Sequence, residues 1–358
     1  MPTSLLPLNY TLLLKVPDPD TLALRYSGSV DMVLEVTEET SCIVLHSHLL
    51  QWSAASVIVN LARKGFPHPM PVAVTSVVFE TLFQFAVVHL ARVTPTSVGD
   101  TLTVSIAFEG TFNSGNSGGS GFFLSNNTYH PAMARRASVT TRQERERGWS
   151  RFPRHVRQPW EEAERFIVER PTDKPLMMYG TQFEESDARR AFPCLDEPGF
   201  KAHYQVTITV SGLTAGTNGT LTALTNMREA APPVQNKTAG TTRFVFRRTL
   251  HPMSSYLVAF AVGRFDYVQQ VEDGVRFRVY TPPGCAGYAG FALAFGVKVT
   301  RYYSQQWRFG YDVMRRLWNC SATFPGFVVG NAFDSPSHSL IAVVWLLPRH
   351  ADVPDTPT

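Results

Sequence analysis

The segment richest in chemically capable side chains runs from Gly180 to Tyr204, GTQFEESDARRAFPCLDEPGFKAHY. It sets the carboxylates Glu184, Glu185, Asp187, Asp196 and Glu197 against two adjacent arginines, Arg189 and Arg190, in a chain where only 17% of residues are charged. A charge run of this kind is most simply a solvated loop, and Pro193 and Pro198 suit one because each fixes φ and ends a helix or ladder. Phe183, Ala191, Phe192, Cys194, Leu195 and Phe200 interleave the charges, however, so part of the segment is expected to be buried. Buried apolar neighbours leave a charge two outcomes. It pairs with an opposite charge, or it faces a cleft where a carboxylate can meet a cation.

The elements that would position this segment read as strands. From about Leu8 to Phe112 the chain offers short runs of period two, NYTLLLKV, SGSVDMVLEV, SCIVLHS, ASVIVNL, VAVTSVVFE, FAVVHL and TLTVSIAFEG, with turn residues between them. The pattern resumes in HYQVTITVSG, TLTALTN, TRFVFRRTL, SYLVAFAVGRF and VRFRVYTP. This spacing predicts a mainly β, antiparallel sandwich over residues 1–265. SGNSGGSG opens a linker-like, arginine-rich excursion over about 114–175, expected to be disordered and able to bind an acidic partner. After Gly284 the period changes. AGYAGFALAFGVKVTRYYSQQW predicts an amphipathic helix with Phe291, Phe295, Val299 and Tyr302/Tyr303 on its apolar face, opening a second domain over 266–358. Beyond Tyr311 the pattern dissolves, apart from a possible strand at LIAVVWLL.

Composition bounds the rest. A chain of 358 residues with 44% hydrophobic residues can build real cores. The net charge of +4 is modest and much of the local excess sits in one segment, which gives nucleic-acid binding little support. Cys42, Cys194, Cys285 and Cys320 are far apart, with no Cys-x-x-Cys spacing, and read as reduced thiols of a cytoplasmic protein. MPTSLLPLNYTLLLKV lacks a basic lead and is broken by Pro7 and Asn9, so neither a signal peptide nor a membrane span is expected.

TQFEESDARRAFPCLDEPGFKA closely resembles the signature of the aminopeptidase N family of zinc metallopeptidases. Other stretches are similar to that family in the same order: LNYTLLL, YSGSVDMVLEV and IVLHS near the start, then HPMSSYLVAFAVGRFDYV, VRFRVYTPPG and FALAFGVKVTRYYSQQWRFGY, over residues 5–311. The resemblance implies a saddle-like N-terminal β-sandwich followed by the truncated start of a thermolysin-like zinc domain. It implies removal of N-terminal amino acids from peptides with a free N-terminus. It also implies that Glu184, with Gln182 nearby, would clamp the substrate's α-amine, while Asp187, Arg189, Arg190, Asp196 and Glu197 form structural pairs that shape the loop.

The family's zinc chemistry needs two histidines one helical turn apart, as His-Glu-x-x-His, with the enclosed glutamate activating the metal-bound water. None of the ten histidines forms that motif, so neither a metal ligand nor a catalytic residue is assigned and no cofactor is expected in this chain. The family's Gly-x-Met-Glu-Asn loop is matched in PGFVVGNAFD at Pro325, Phe327 and Gly330. Phe333 stands in place of the amine-binding glutamate and Asp334 in place of the asparagine. Divergence and a frame slip near Tyr311 both fit. Three readings follow: the N-terminal portion of a zinc-aminopeptidase lineage, inactive by itself; a catalytically dead binding module, similar to the metal-free relative in a general transcription factor complex; or a non-functional translated fragment.

Overall fold

The computed structural model describes residues 1–63, 65–91, 96–113, 120–127, 176–213, 220–249, 251–272, 275–281, 283, 286–306, 326–328 and 342–348. The strands before the signature are β1 (Leu5–Pro17), β2 (Arg25–Val36), β3 (Cys42–His46), β4 (Val57–Ala62), β5 (Met70–Val72), β6 (Val74–Glu80), β7 (Phe85–Leu90), β8 (Thr101–Thr111), β9 (Gly121–Asn127) and β10 (Leu176–Gln182). After it come β11 (His203–Ser211), β12 (Thr220–Thr225), β13 (Val234–Asn236), β14 (Thr241–Val245), β15 (Phe260–Glu272) and β16 (Val275–Thr281). Helix α1 (Gly290–Gln306), β17 (Gly326–Val328) and β18 (Ala342–Pro348) follow. The chain divides into two compact units, with Met1–Ser125, Met177–Thr217 and Leu221–Gly263 in the first, and Asn126–Leu176, Asn218–Thr220 and Arg264–Thr358 in the second.

In the first unit, eight strands form one sheet in the order β13-β14-β11-β1-β2-β8-β4-β5, and β3-β7-β6 form another. Period-two alternation places one row of each strand inside. The registers line these rows up across the sheet: Tyr204, Tyr10, Met32, Val104 and Val59 are successive cross-strand partners, as are Val206, Leu12, Val30, Ile106 and Val57. All ten are buried in a single core. Fully burying each aliphatic side chain contributes about 1.5–3 kcal/mol relative to exposure, which is why a one-residue slip is so strongly disfavoured.

The mainly β expectation holds, and most strand pairs are antiparallel. β1 and β11, however, run parallel from Asn9↔His203 to Pro17↔Ser211, so the strand after the signature lies beside the first strand of the chain. Gly121–Asn127, inside the stretch expected to wander, is a strand, with Phe122 and Phe123 buried. The arginine-rich residues 128–175 lie outside the described residues.

In the second unit, β15 pairs with β16 from Asp266↔Thr281 to Glu272↔Val275, and β16 pairs with β18, the strand expected at LIAVVWLL. The helix forms where its periodicity predicts, but two of the residues expected on its apolar face are exposed. Ala289, Leu293 and Val297 pack with Phe277 and Val279 of β16, while Phe295 and Tyr302 are 57% and 60% exposed.

Candidate functional site

The signature begins on β10 and is anchored before its first charge. The Thr181 hydroxyl accepts the Phe260 N–H at 3.0 Å and lies 3.3 Å from the Phe260 carbonyl, both residues being buried. Phe183 points inward, with its ring against Phe192 and Phe260. Its neighbours on either side, Gln182 at the end of β10 and Glu184 at the start of the turn, are both exposed. The Asp187 N–H donates to the Phe183 carbonyl at 2.9 Å and closes a turn whose crown is Glu184, Glu185 and Ser186, all exposed. The Glu184–Glu185 peptide is cis.

Past this crown the charges pair, as expected for Asp187, Arg189, Arg190, Asp196 and Glu197. Arg190 Nε lies 2.8 Å from Asp187 Oδ1. Arg189 Nε lies 2.9 Å from Asp196 Oδ2, and a second guanidinium nitrogen donates to the Asp196 carbonyl at 3.0 Å. Glu197 Oε1 lies 2.9 Å from the Met1 amino group. Asp196 is only 4% exposed. A buried carboxylate must be compensated on every side, and Ser255 Oγ on its other oxygen at 2.5 Å completes that environment.

Residues far away in sequence hold the pairs in place. The Asp196 N–H donates to His46 Nδ1 at 3.1 Å, across 150 residues. Gln84 Oε1 accepts from Arg189 at 3.3 Å, across 105 residues. The His48 N–H donates to the Arg189 carbonyl at 2.9 Å, and His46 and Cys194 exchange backbone hydrogen bonds at 2.8 and 3.2 Å. The Tyr26 hydroxyl donates to the Ala191 carbonyl at 2.9 Å. Its ring lies against Gly110, where an added Cβ would fall 2.2 Å from a ring carbon, so the close approach requires glycine there. None of these partners was legible, because no short-range pattern ties His46, Gln84, Tyr26 or Ser255 to this segment.

Burial sets the protonation of the groups beneath. The Cys194 thiol and the Tyr10 hydroxyl are pushed up by desolvation and stay protonated. His46, 3% exposed, has its pKa lowered to about 4 by burial and by the Arg189 guanidinium, so its ring is neutral near pH 7. Cys42 and Cys194 are free thiols, whereas Cys285 and Cys320 lie outside the described residues. Among the described residues no three of His, Cys, Asp or Glu gather into a metal-holding group, and His46 Nδ1 is engaged by the Asp196 amide. The residues around the signature do not fit a zinc ion. Phe333 and Asp334 lie outside the described residues.

The sequence profile of the Peptidase M1 N-terminal domain matches residues 168–257, a range that contains Gln182, Glu184 and all the paired charges. The chain is 31% identical over 300 residues to Aminopeptidase M1-A of Oryza sativa subsp. japonica, across 83% of this chain and 27% of that protein. It is 29% identical over 318 residues to Aminopeptidase M1 of Arabidopsis thaliana, across 87% and 28% respectively. It is 40% identical over 153 residues to the Puromycin-sensitive aminopeptidase of Caenorhabditis elegans, across 42% and 15%. The chain belongs to the M1 aminopeptidase family. It spans about a quarter of the length of the two plant relatives and corresponds to the N-terminal part of M1 proteins. M1 peptidases are zinc-dependent and act on peptides. Among the described residues no helix is long and apolar enough to cross a membrane.

Proposed function

We propose that this chain is the N-terminal β portion of an M1 aminopeptidase lineage, whose intact members remove N-terminal amino acids from peptides. In this reading Glu184, with Gln182 beside it, is the carboxylate meant for a peptide's free amine. One observation carries it. Of the five carboxylates in the signature, Asp187, Asp196 and Glu197 are consumed by ion pairs, whereas Glu184 and Glu185 have none among the described residues and stand exposed on the crown. Glu184 and Gln182, on either side of the buried Phe183, are both exposed.

The sequence as it stands contains no His-Glu-x-x-His, and Phe333 occupies the place of the second amine-binding glutamate, so the chain by itself is inactive. The free thiols of Cys42 and Cys194 support a cytoplasmic setting, and the arginine-rich residues 128–175 suit an acidic partner. The test is direct. The purified chain, incubated with zinc and an aminoacyl-arylamide, is expected to retain no stoichiometric metal and release no arylamine, since nothing in it lowers the pKa of a bound water. One equivalent of tightly held zinc by elemental analysis, or turnover, would overturn the reading of an inactive portion.

A further inference from the structure

The exposed crown Glu184–Ser186 is short, and what fixes it lies outside the signature. On one side Phe183 is buried in the core; on the other, Arg189 is held by the Asp196 carboxylate. That pair is in turn gripped by two residues from separate strand ends: His46 at the end of β3, which accepts the Asp196 N–H, and Gln84 immediately before β7, which accepts from the Arg189 guanidinium. Gln84 is itself held in the left-handed region, with φ 58°, and its carbonyl accepts the Ser47 N–H at 2.8 Å. The two grips are therefore joined to each other through the His46–Ser47 backbone. His46 is further fixed by the Phe85 ring, 4.9 Å away and edge-on.

Resting on the reading of Glu184 as the amine-facing carboxylate, we propose that His46 and Gln84 are positioning residues for the Glu184 crown: they clamp the Arg189–Asp196 pair from outside the signature and so set where the crown is presented. The clamp has a chemical requirement. His46 Nδ1 receives the Asp196 N–H, so it must carry no proton, and the ring must be the neutral form protonated at Nε2. A second proton would set donor against donor. It would also add a positive charge to a neighbourhood that already holds the Arg189 guanidinium and the Met1 amine, with Glu197 pulling the other way. Burial and the Arg189 charge keep that proton off until the pH approaches about 4. His48, whose backbone N–H reaches Arg189, is shifted in the same direction by burial and by Arg190, and so needs its own control.

The experiment is amide hydrogen exchange on the full chain, read at Asp187, Arg190 and Ala191, whose N–H groups donate within the turn, with Leu12 and Val30 in the sheet centre as reference. In the unsubstituted chain the turn's protection factors, taken relative to those of the reference amides, are expected to fall about fivefold between roughly pH 7 and pH 4, the loss of one net hydrogen bond. His46→Gln keeps a neutral acceptor and is expected to abolish the fall. His48→Gln is expected to leave it in place. Gln84→Ala is expected to lower protection about threefold already at pH 7. Unchanged protection across this range in the unsubstituted chain, or an equal fall in His46→Gln, would overturn the proposal. Glu184→Gln, carried alongside, leaves the clamp residues untouched. A failure of amine recognition would therefore end the reading of Glu184 without altering this profile, and a flat profile would end the clamp without touching that reading.

Discussion

Glu184 and Asp196 belong to the same signature, yet their carboxylates live in different worlds. Asp196 is 4% exposed, with Arg189, Ser255 and the His46-bound amide closing around it. Glu184 is exposed on a crown, with no ion-pair partner among the described residues. One carboxylate is committed to structure, and the other is the one we propose for a peptide's amine. The comparison teaches that a dense charge run need not have one purpose. In the reading proposed above, the buried Arg189–Asp196 pair is the mount, and the mount is what gives an exposed carboxylate a fixed place.

If that division is right, substitutions on its two sides must differ greatly in cost. Asp196→Ala, which strands a buried guanidinium, is expected to lower unfolding free energy by about 3–5 kcal/mol in urea titration. A loss below about 1 kcal/mol would mean the pair is not the mount. Next in size is acid. His46 has a folded-state pKa lowered to about 4 against an ordinary value of 6.5, so the unfolded chain takes the proton first as pH falls. The stability it contributes is complete above about pH 6.5 and drains away toward pH 4, by roughly 3 kcal/mol in all. Urea midpoints measured on the unsubstituted chain and on His46→Gln across that window are expected to diverge, with the variant the flatter.

The helix offers a smaller version of the same contrast. Leu293→Ala, at a position 8% exposed, is expected to cost about 2–3 kcal/mol in the second unit, while Phe295→Ala, at one 57% exposed, is expected to cost well under 1. The reverse order would restore the face that periodicity favours.

How much of this was legible follows from what each signal reports. Period-two runs such as NYTLLLKV and TLTVSIAFEG report the pleat, and they became β1 and β8 with the expected alternation. They say nothing of partners, so the parallel pairing of Leu12 with Val206 was out of reach. Helical periodicity located α1 but weighted Phe295 and Tyr302 for their hydrophobicity, whereas Leu293 and Val297 are the residues that pack on Phe277 and Val279, a choice made by the tertiary partner and not by the helix's own pattern. In the signature, interleaved apolar residues announced that charges would pair, and they do. The grips of His46, Gln84 and Tyr26 come from more than 100 residues away and are decided by tertiary packing alone. Glu184 was singled out by resemblance, and the exposed crown is what the fold adds to that argument.

The smallest expected effects fall on Glu184 itself, and they test the account most directly. Glu184→Gln is expected to change stability by no more than about 0.5 kcal/mol. A single exposed ion pair contributes roughly 0–1 kcal/mol, whereas even millimolar affinity requires about 4 kcal/mol. A free-amine tripeptide and its N-acetylated form, titrated separately against the chain and followed by amide chemical shifts, decide the matter. The account predicts no saturation by either peptide below the millimolar range. It also predicts small shifts confined to Gln182–Glu185, seen with the free amine and absent with the acetylated form. Micromolar saturation by the free amine, lost in Glu184→Gln, would contradict the account and establish this chain as a peptide-binding module in its own right; shifts that avoid Gln182–Glu185 altogether would contradict the role given to Glu184.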